Sequence, residues 1–252
     1  MNKISVVINT YNAEQHLDKV LESAKAFDEI VVCDMESTDR TIEIAKKHGC
    51  RIVTFPKGNH TICEPARNTA IQAASNQWVL VLDADELVPD GMPEYLYDWI
   101  GKNKSAAALS FGRINQFMGR KATGGPDRLY RFLRKDKVDW PPTIHSRPVI
   151  DGPVEYVPLS RKDLFLIHLD NPTIAERVDK LNTYSSNEVI RRRFRNFGYM
   201  SFLFRPLWAF IRTYFIRGAI RDGRRGLIRS YLEAYYQIMM MAKVTEYRWY
   251  KW

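Results

Sequence analysis

The stretch Trp78 to Glu86, WVLVLDADE, constrains this chain more than any other. Trp78, Val79, Leu80, Val81 and Leu82 form a short apolar run rich in β-branched and aromatic types, the pattern of an interior strand in a parallel sheet. Sheets of that kind bind ligands at the carboxyl ends of their strands, where Asp83 and Asp85 stand. Two residues apart in extended backbone, both carboxylates lean to the same side, with only Ala84 between them. Adjacent acids repel, and the usual compensation is a hard divalent cation, Mg2+ or Mn2+, that also binds phosphate. An isolated DAD is also the composition of a solvated acidic turn, so the pair acquires meaning from its company.

A first strand, Ile4 to Ile8, ends in Asn9-Thr10-Tyr11-Asn12 and leads into a helix from Glu14, where Leu17, Val20, Leu21 and Ala24 recur at helical spacing. The polar NTYN segment is therefore another strand-end loop, with Tyr11 exposed to stack on a base. The chain contains neither the glycine-rich turn of a dinucleotide site nor a P-loop. A second strand, Glu29 to Cys33, delivers Asp34, an acid placed to accept from a ribose or a base edge. Ser37 or Thr38 is expected to cap the next helix, which carries Ile42 and Ala45 and stops at Gly49, while Asp39 serves its dipole. After a third strand, Arg51 to Phe55, Pro65 suits a helix start with Arg67-Asn68 in its first turns. Arg67 there meets a phosphate or Asp83, unless it is a surface arginine of an amphipathic helix.

Taken together, SVVINTYNAE, VVCDMESTDRT, EPARN and LVLDADE resemble, at their spacing, the nucleotide-binding half of a family 2 glycosyltransferase with the GT-A fold. The resemblance covers about the first hundred residues. It implies an α/β chain with a Rossmann-like, mostly parallel sheet sandwiched by helices, and an inverting, metal-dependent transfer from a nucleotide-sugar donor, a UDP-sugar. It further implies that Thr10, Tyr11, Asn12 and Glu14 border the base, that Asp34 holds base or ribose, and that Arg67 lines the site near Asp83. Of the acid pair, Asp83 would face the ribose and metal, and Asp85 would ligate the metal directly.

Three cysteines, Cys33, Cys50 and Cys63, lack metal-ligand spacing and read as thiols in a reducing compartment. The amino terminus enters the first strand after three residues, so no signal peptide is expected. Residues 1–100 carry sixteen acids against nine Lys and Arg, and the remainder carries +16, for a total of +9.

Residues 1–170 are expected to form one catalytic domain, with 1–100 binding the donor and 101–170 building the acceptor side. Strands are expected at Ala106 to Phe111 and Leu129 to Leu133, separated by a loop from Met118 to Pro126. Asp127 opens the second of these, in a segment that resembles the one where family 2 enzymes acting on lipid-linked or lipopolysaccharide acceptors place a carboxylate near the reacting carbon. It is the general-base candidate, since inverting displacement needs a proton acceptor near the acceptor hydroxyl; the alternative is a turn Asp paired with a neighbouring Arg. His145 resembles the His of a His-Glu pair in lipopolysaccharide-core glucosyltransferases, with Ser146 in place of the Glu. It would meet the metal or diphosphate, donate to the acceptor, or be structural. His168, after the apolar run Leu164 to Ile167, reads as a core or hinge histidine.

From 171 to 252 a helical extension is expected. Thr173 caps a helix through Arg195, Tyr199 to Arg217 forms an intensely apolar one interrupted by Arg205 and Arg212, and Asp222-Gly223 with Gly226 mark a turn before the last helix. No uncharged stretch is long enough to span a bilayer, so the reading is an in-plane interfacial helix. Between Arg191 and Arg229 lie eleven arginines and one acid, Asp222. An anionic membrane surface is the expected partner of 191–229, on the inner face of the cytoplasmic membrane of a cytoplasmic protein. Nucleic acid is not expected, because no nucleic-acid module appears, and a homo-oligomer burying the aromatics is the alternative. The functional expectation is sugar transfer from a nucleotide donor to a lipid-linked or lipopolysaccharide-type glycan. The alternatives are a sugar nucleotidyltransferase, whose basic Gly-rich loop is missing, and a non-catalytic anionic-surface binder, against which the intact acids argue.

Overall fold

The structure is a computed structural model in which residues 3–60, 62–102, 105–124, 127–143, 146–169 and 173–250 are described. In chain order the strands are β1 (Ile4–Thr10), β2 (Glu29–Asp34), β3 (Arg51–Thr54), β4 (Trp78–Asp83), β5 (Glu86–Leu87), β6 (Ala108–Phe117), β7 (Arg120–Lys121), β8 (Asp127–Arg134), β9 (Val138–Asp139), β10 (Val149–Ile150), β11 (Val154–Tyr156) and β12 (Leu166–His168). The helices are α1 (Glu14–Ala24), α2 (Thr41–Lys47), α3 (Arg67–Ala73), α4 (Met92–Lys102), α5 (Ile174–Arg192), α6 (Tyr199–Ile211) and α7 (Arg224–Tyr250). The chain forms two compact units, one of 1–114 with 126–169 and one of 115–125 with 170–252.

The first unit is built on a sheet in the order β3-β2-β1-β4-β8-β6-β12-β5, with β11 beside β6. Its first four strands are parallel, and the pairings β4 with β8 and β8 with β6 are antiparallel. Both faces are covered, which is why β1 and β4 read as continuous apolar runs. Ile4, Val6 and Ile8 pack with Leu17 and Leu21 of α1 and with Leu96 and Trp99 of α4. Val7, Val31, Val79 and Val81 face the other way, onto Ala70 and Ile71 of α3. At the far end of β4, Trp78 stacks on Phe132 at 5.0 Å between ring centroids and meets Trp99 edge-on at 5.4 Å.

The chain runs from β1 to β2 and β3 on one side and then crosses to β4 on the other. The strand order therefore reverses between β1 and β4, and such a switch point opens a crevice at the carboxyl ends. Parallel register sets Asn9 beside both Cys33 and Asp83, and Thr10 beside Asp34.

Several local expectations are corrected. Helix α2 begins at Thr41, and neither Ser37 nor Thr38 caps it. Asp39 takes that role, accepting from the Thr41 N–H at 3.0 Å and, through its other oxygen, from the Glu14 N–H of α1 at 3.0 Å. The Ser37 hydroxyl is already committed to Asp34 and to the Asn12 N–H. Strand β6 runs on to Phe117, well past Phe111, and β7 pairs back onto its end, so a hairpin stands in the expected loop. His145, Gly125 and Pro126 lie outside the described residues.

In the second unit Thr173 caps α5 as expected, accepting from the Glu176 N–H at 3.1 Å, but the helix ends at Arg192. Pro206 sits inside α6, and the following turn, Arg212–Ile216, is a wide π turn. A small core joins Phe197 to Met240, Met241 and Val244, with Phe202 of α6 and Val189 of α5 against it. Gly226 lies inside α7, not in a turn: a Cβ there would stand 1.7 Å from the Ala219 carbonyl oxygen, so glycine alone permits this approach. Asp222 receives the backbone N–H of Thr123 at 2.8 Å and ties the hairpin segment to this unit.

Candidate active site

The carboxyl ends of β1, β2 and β4 bring Thr10, Asp34 and Asp83 side by side. Asp34 is 2 % exposed. One of its oxygens accepts from the Thr10 hydroxyl at 2.7 Å and the Ser37 hydroxyl at 2.6 Å, and the other from the Ser37 N–H at 2.8 Å. The loops after β1 and β2 are cross-tied as well. The Asn12 side-chain oxygen accepts from the Thr38 N–H at 2.8 Å, and Glu14 accepts from the Arg40 N–H and Nε at 3.1 Å. Asn12 and Glu36 hold left-handed backbone, at φ 47° and 60°, a conformation costly enough to persist only where surroundings impose it. Tyr11 is exposed, with the Lys57 ammonium 4.7 Å from its ring centroid. Thus Asn12 and Glu14 shape the rim through their ties, and Tyr11 presents an aromatic face.

Asp83 sits between two guanidiniums. Arg67, the first residue of α3, donates to it at 2.8 Å, and Arg131 of β8 forms a two-pronged pair with both its oxygens. Burial alone would raise the Asp83 pKa, but Arg131 and Arg67 outweigh it and hold the carboxyl well below the usual range. Arg131 also reaches Glu86 at 3.3 Å, and Arg113 of β6 reaches Glu86 at 3.0 Å and Asp127 at 3.1 Å. Charges of alternating sign thus run Arg67, Asp83, Arg131, Glu86, Arg113, Asp127. Glu86 is fully buried and accepts the Asp83 N–H at 3.1 Å. Burial raises its pKa, Arg131 opposes the rise and Asp83 adds to it. Trp140 lies under Arg67, whose guanidinium carbon is 4.7 Å from its ring centroid. Nε and one terminal nitrogen of Arg67, and Nε of Arg131, are buried without a hydrogen-bond partner among the described residues.

Asp85 is arranged differently. The antiparallel pairing of β12 with β5 sets His168 opposite Glu86, and its Nε2 lies 3.2 Å from Asp85 Oδ2. A carboxylate oxygen and an imidazole nitrogen are fitting donors for a divalent ion. At that distance the two side chains are directly hydrogen-bonded to each other. Among the described residues no group of three or more His, Cys, Asp or Glu gathers for a metal. His168, read from sequence as a core or hinge histidine, is partly exposed, lies one residue before the first unit ends at Leu169, and pairs with Asp85.

Asp127, at the start of β8, is about half exposed and paired with Arg113. The pairing is that of an Asp tied to an arginine, but across the β6–β8 ladder and not within a turn. Arg131, Arg113 and Glu86 were not singled out by sequence, and His168 was given a structural reading without chemistry. The available signal was an arginine set between Tyr130 and Phe132 inside the mostly apolar run Leu129 to Leu133, since a charge there must be paired. The three cysteines are free thiols, and burial pushes Cys33 and Cys63 up to about 11.

Comparison with known proteins bears on the same segment. The profile of Glycosyl transferase family 2 matches residues 5–148. An uncharacterized glycosyltransferase of Rickettsia typhi is 26% identical over 98% of this chain and 88% of its own length. The lipopolysaccharide core biosynthesis glycosyltransferase LpsC of Rhizobium meliloti is 24% identical over 96% of this chain and 92% of its own length. Among solved structures, that of Staphylococcus aureus TarS 1-349 superposes with a TM-score of 0.51 at 15% identity, covering 98% of this chain and 91% of that one, a likeness of fold.

Proposed function

The chain belongs to glycosyl transferase family 2 and has the GT-A fold, and from this premise we propose that it is an inverting, metal-dependent enzyme transferring a sugar from a UDP-sugar to a lipid-linked or lipopolysaccharide-type glycan. The observation that carries the reading is the meeting of Asp34, Asp83 and the Asp85–His168 pair at the switch point of the sheet. Thr10, Tyr11, Asn12 and Glu14 form the wall for the base, with Tyr11 stacking on it. Asp34 and Asp83 face the nucleoside, Asp34 held by Thr10 and Ser37, and Asp83 by Arg67 and Arg131. Asp85 and His168 would hold Mg2+ or Mn2+, which would neutralise charge on the departing diphosphate.

In the reaction the acceptor oxygen bonds to the anomeric carbon while the bond from that carbon to the diphosphate breaks, and the hydroxyl proton passes to a base. Asp127 is that base, with Arg113 fixing its position. The likeness to LpsC supports a glycan of the lipopolysaccharide kind as acceptor. No helix among the described residues is long and apolar enough to cross a membrane, and a lipid-linked acceptor would be met at an anionic bilayer surface.

The test is a panel of nucleotide sugars incubated with the purified protein and Mn2+, read as nucleotide release. A UDP-sugar should release UDP. Asp127→Asn should then lower turnover with acceptor about 100-fold while leaving donor affinity unchanged. Absence of release from every donor would overturn the reading, and full activity of Asp127→Asn would remove Asp127 from the base role.

A further inference from the structure

The second unit presents a surface that transfer chemistry does not use. In α6, Tyr199, Met200, Leu203, Phe204, Leu207 and Trp208 are each between 50% and 96% exposed. At 100° per residue these six fall within about half of the helix circumference. The opposite side is occupied: Phe202 packs against the α7 core and Pro206 is buried. The stripe continues into the wide turn, where Phe215 and Ile216 are more than half exposed. A soluble surface rarely displays so many contiguous large apolar side chains without a partner.

The charge around the stripe identifies the partner. Arg193, Arg195, Arg212, Arg217, Arg221 and Arg224 are exposed, and from 191 to 232 no exposed carboxylate accompanies them, while Arg191 is paired with Glu188. The one acid in that interval, Asp222, is taken up by Thr123 and Arg229. A second copy of this chain docked stripe to stripe would bring two arginine clusters together without counter-charge, and like charges across an interface are costly. An anionic bilayer supplies both missing elements, an apolar interior for the aromatics and negative headgroups for the guanidiniums. With thirteen residues, α6 is about 20 Å long, shorter than the hydrocarbon core, so it must lie in the plane of the leaflet.

We propose that α6 is an in-plane anchor whose stripe from Tyr199 to Trp208 enters the headgroup region of an anionic phospholipid leaflet, with the flanking arginines on the lipid phosphates. This deepens the lipid-linked acceptor reading and rests on it for the biological setting, but it is tested without donor or acceptor.

The full chain is sedimented with vesicles of phosphatidylglycerol and phosphatidylcholine, and with phosphatidylcholine alone, at low and at about 0.5 M salt, where the Debye length falls to about 4 Å. Binding is expected to the anionic vesicles at low salt and to be lost in the other conditions. Trp208 reports insertion: in a Trp249→Phe, Trp252→Phe background it is the one exposed tryptophan among the described residues, and its emission should shift to the blue on anionic vesicles alone. Replacing Arg212, Arg217 and Arg221 together with Gln should lower the partition coefficient about 100-fold. Leu203→Glu with Leu207→Glu should abolish the blue shift while leaving UDP release from the donor as in the parent protein. The proposal is overturned if the intact protein ignores anionic vesicles at low salt. It is equally overturned if the Leu203, Leu207 variant binds them unchanged, or if sedimentation velocity shows a dimer that this variant dissolves. Loss of vesicle binding with intact UDP release refutes the anchor alone, whereas vesicle binding without release from any donor refutes the enzymatic reading alone.

Discussion

The Asp85–His168 pair carries the most specific chemistry at the scale of single residues. If both side chains hold the same ion, either loss should remove the coupling between Mn2+ and nucleotide. By calorimetry in Mn2+, Asp85→Ala and His168→Ala should each weaken UDP binding about 100-fold, and the double variant should be no weaker than either single. Additive losses would show that the two act separately. Asp83 and Asp85 were legible in the sequence because the strand and its terminal acids form one continuous local pattern. His168 was not, because it lies 83 residues from Asp85 and reaches it through the pairing of β12 with β5. Glu86 followed the acid pair in plain view, yet nothing local signals that Arg113 and Arg131 would converge on it from β6 and β8.

At the scale of elements, the first four strands and their helices follow from apolar periodicity, and what sequence missed were boundaries. The cap of α2 is instructive. Ser37 and Thr38 have the right side chains, but the Ser37 hydroxyl is drawn to the buried Asp34, and Asp39 accepts the helix N–H in its place. One carboxylate thereby starts both α1 and α2, so Asp39→Ala should cost about 2 kcal/mol, the upper range for a lost cap, in urea unfolding at pH 7. Burial opposes the charge of Asp39, but the Thr41 hydroxyl and the N–H groups of Glu14 and Thr41 prevail and lower its pKa. A carboxyl with a depressed folded value stabilises fully above its unfolded pKa of about 4 and loses that contribution as pH falls through the folded value. The gap between parent and Asp39→Ala should therefore close in acid, and a gap of constant size down to pH 2 would exclude the cap.

Across the whole molecule, sequence separated an acidic first half from a basic, aromatic tail. The hairpin end at 115–125, which the structure groups with the helical unit, was invisible to it because Thr123 there is held by Asp222, about a hundred residues away. The two units have separate cores, so a ligand held by one should stabilise that one. In hydrogen exchange, UDP with Mn2+ should slow the amides of the loops after β1, β2 and β4, leaving α5 to α7 at their former rates; slowing confined to the helices would place the nucleotide elsewhere. Every residue assigned to transfer, from Thr10 to His168, belongs to the first unit, and the whole exposed stripe belongs to the second. If the stripe is the membrane anchor, catalytic capability and cellular address are written in different parts of the chain. Exchange of the helical part alone would send the same chemistry to another surface, a route to new acceptors that leaves the donor pocket unaltered.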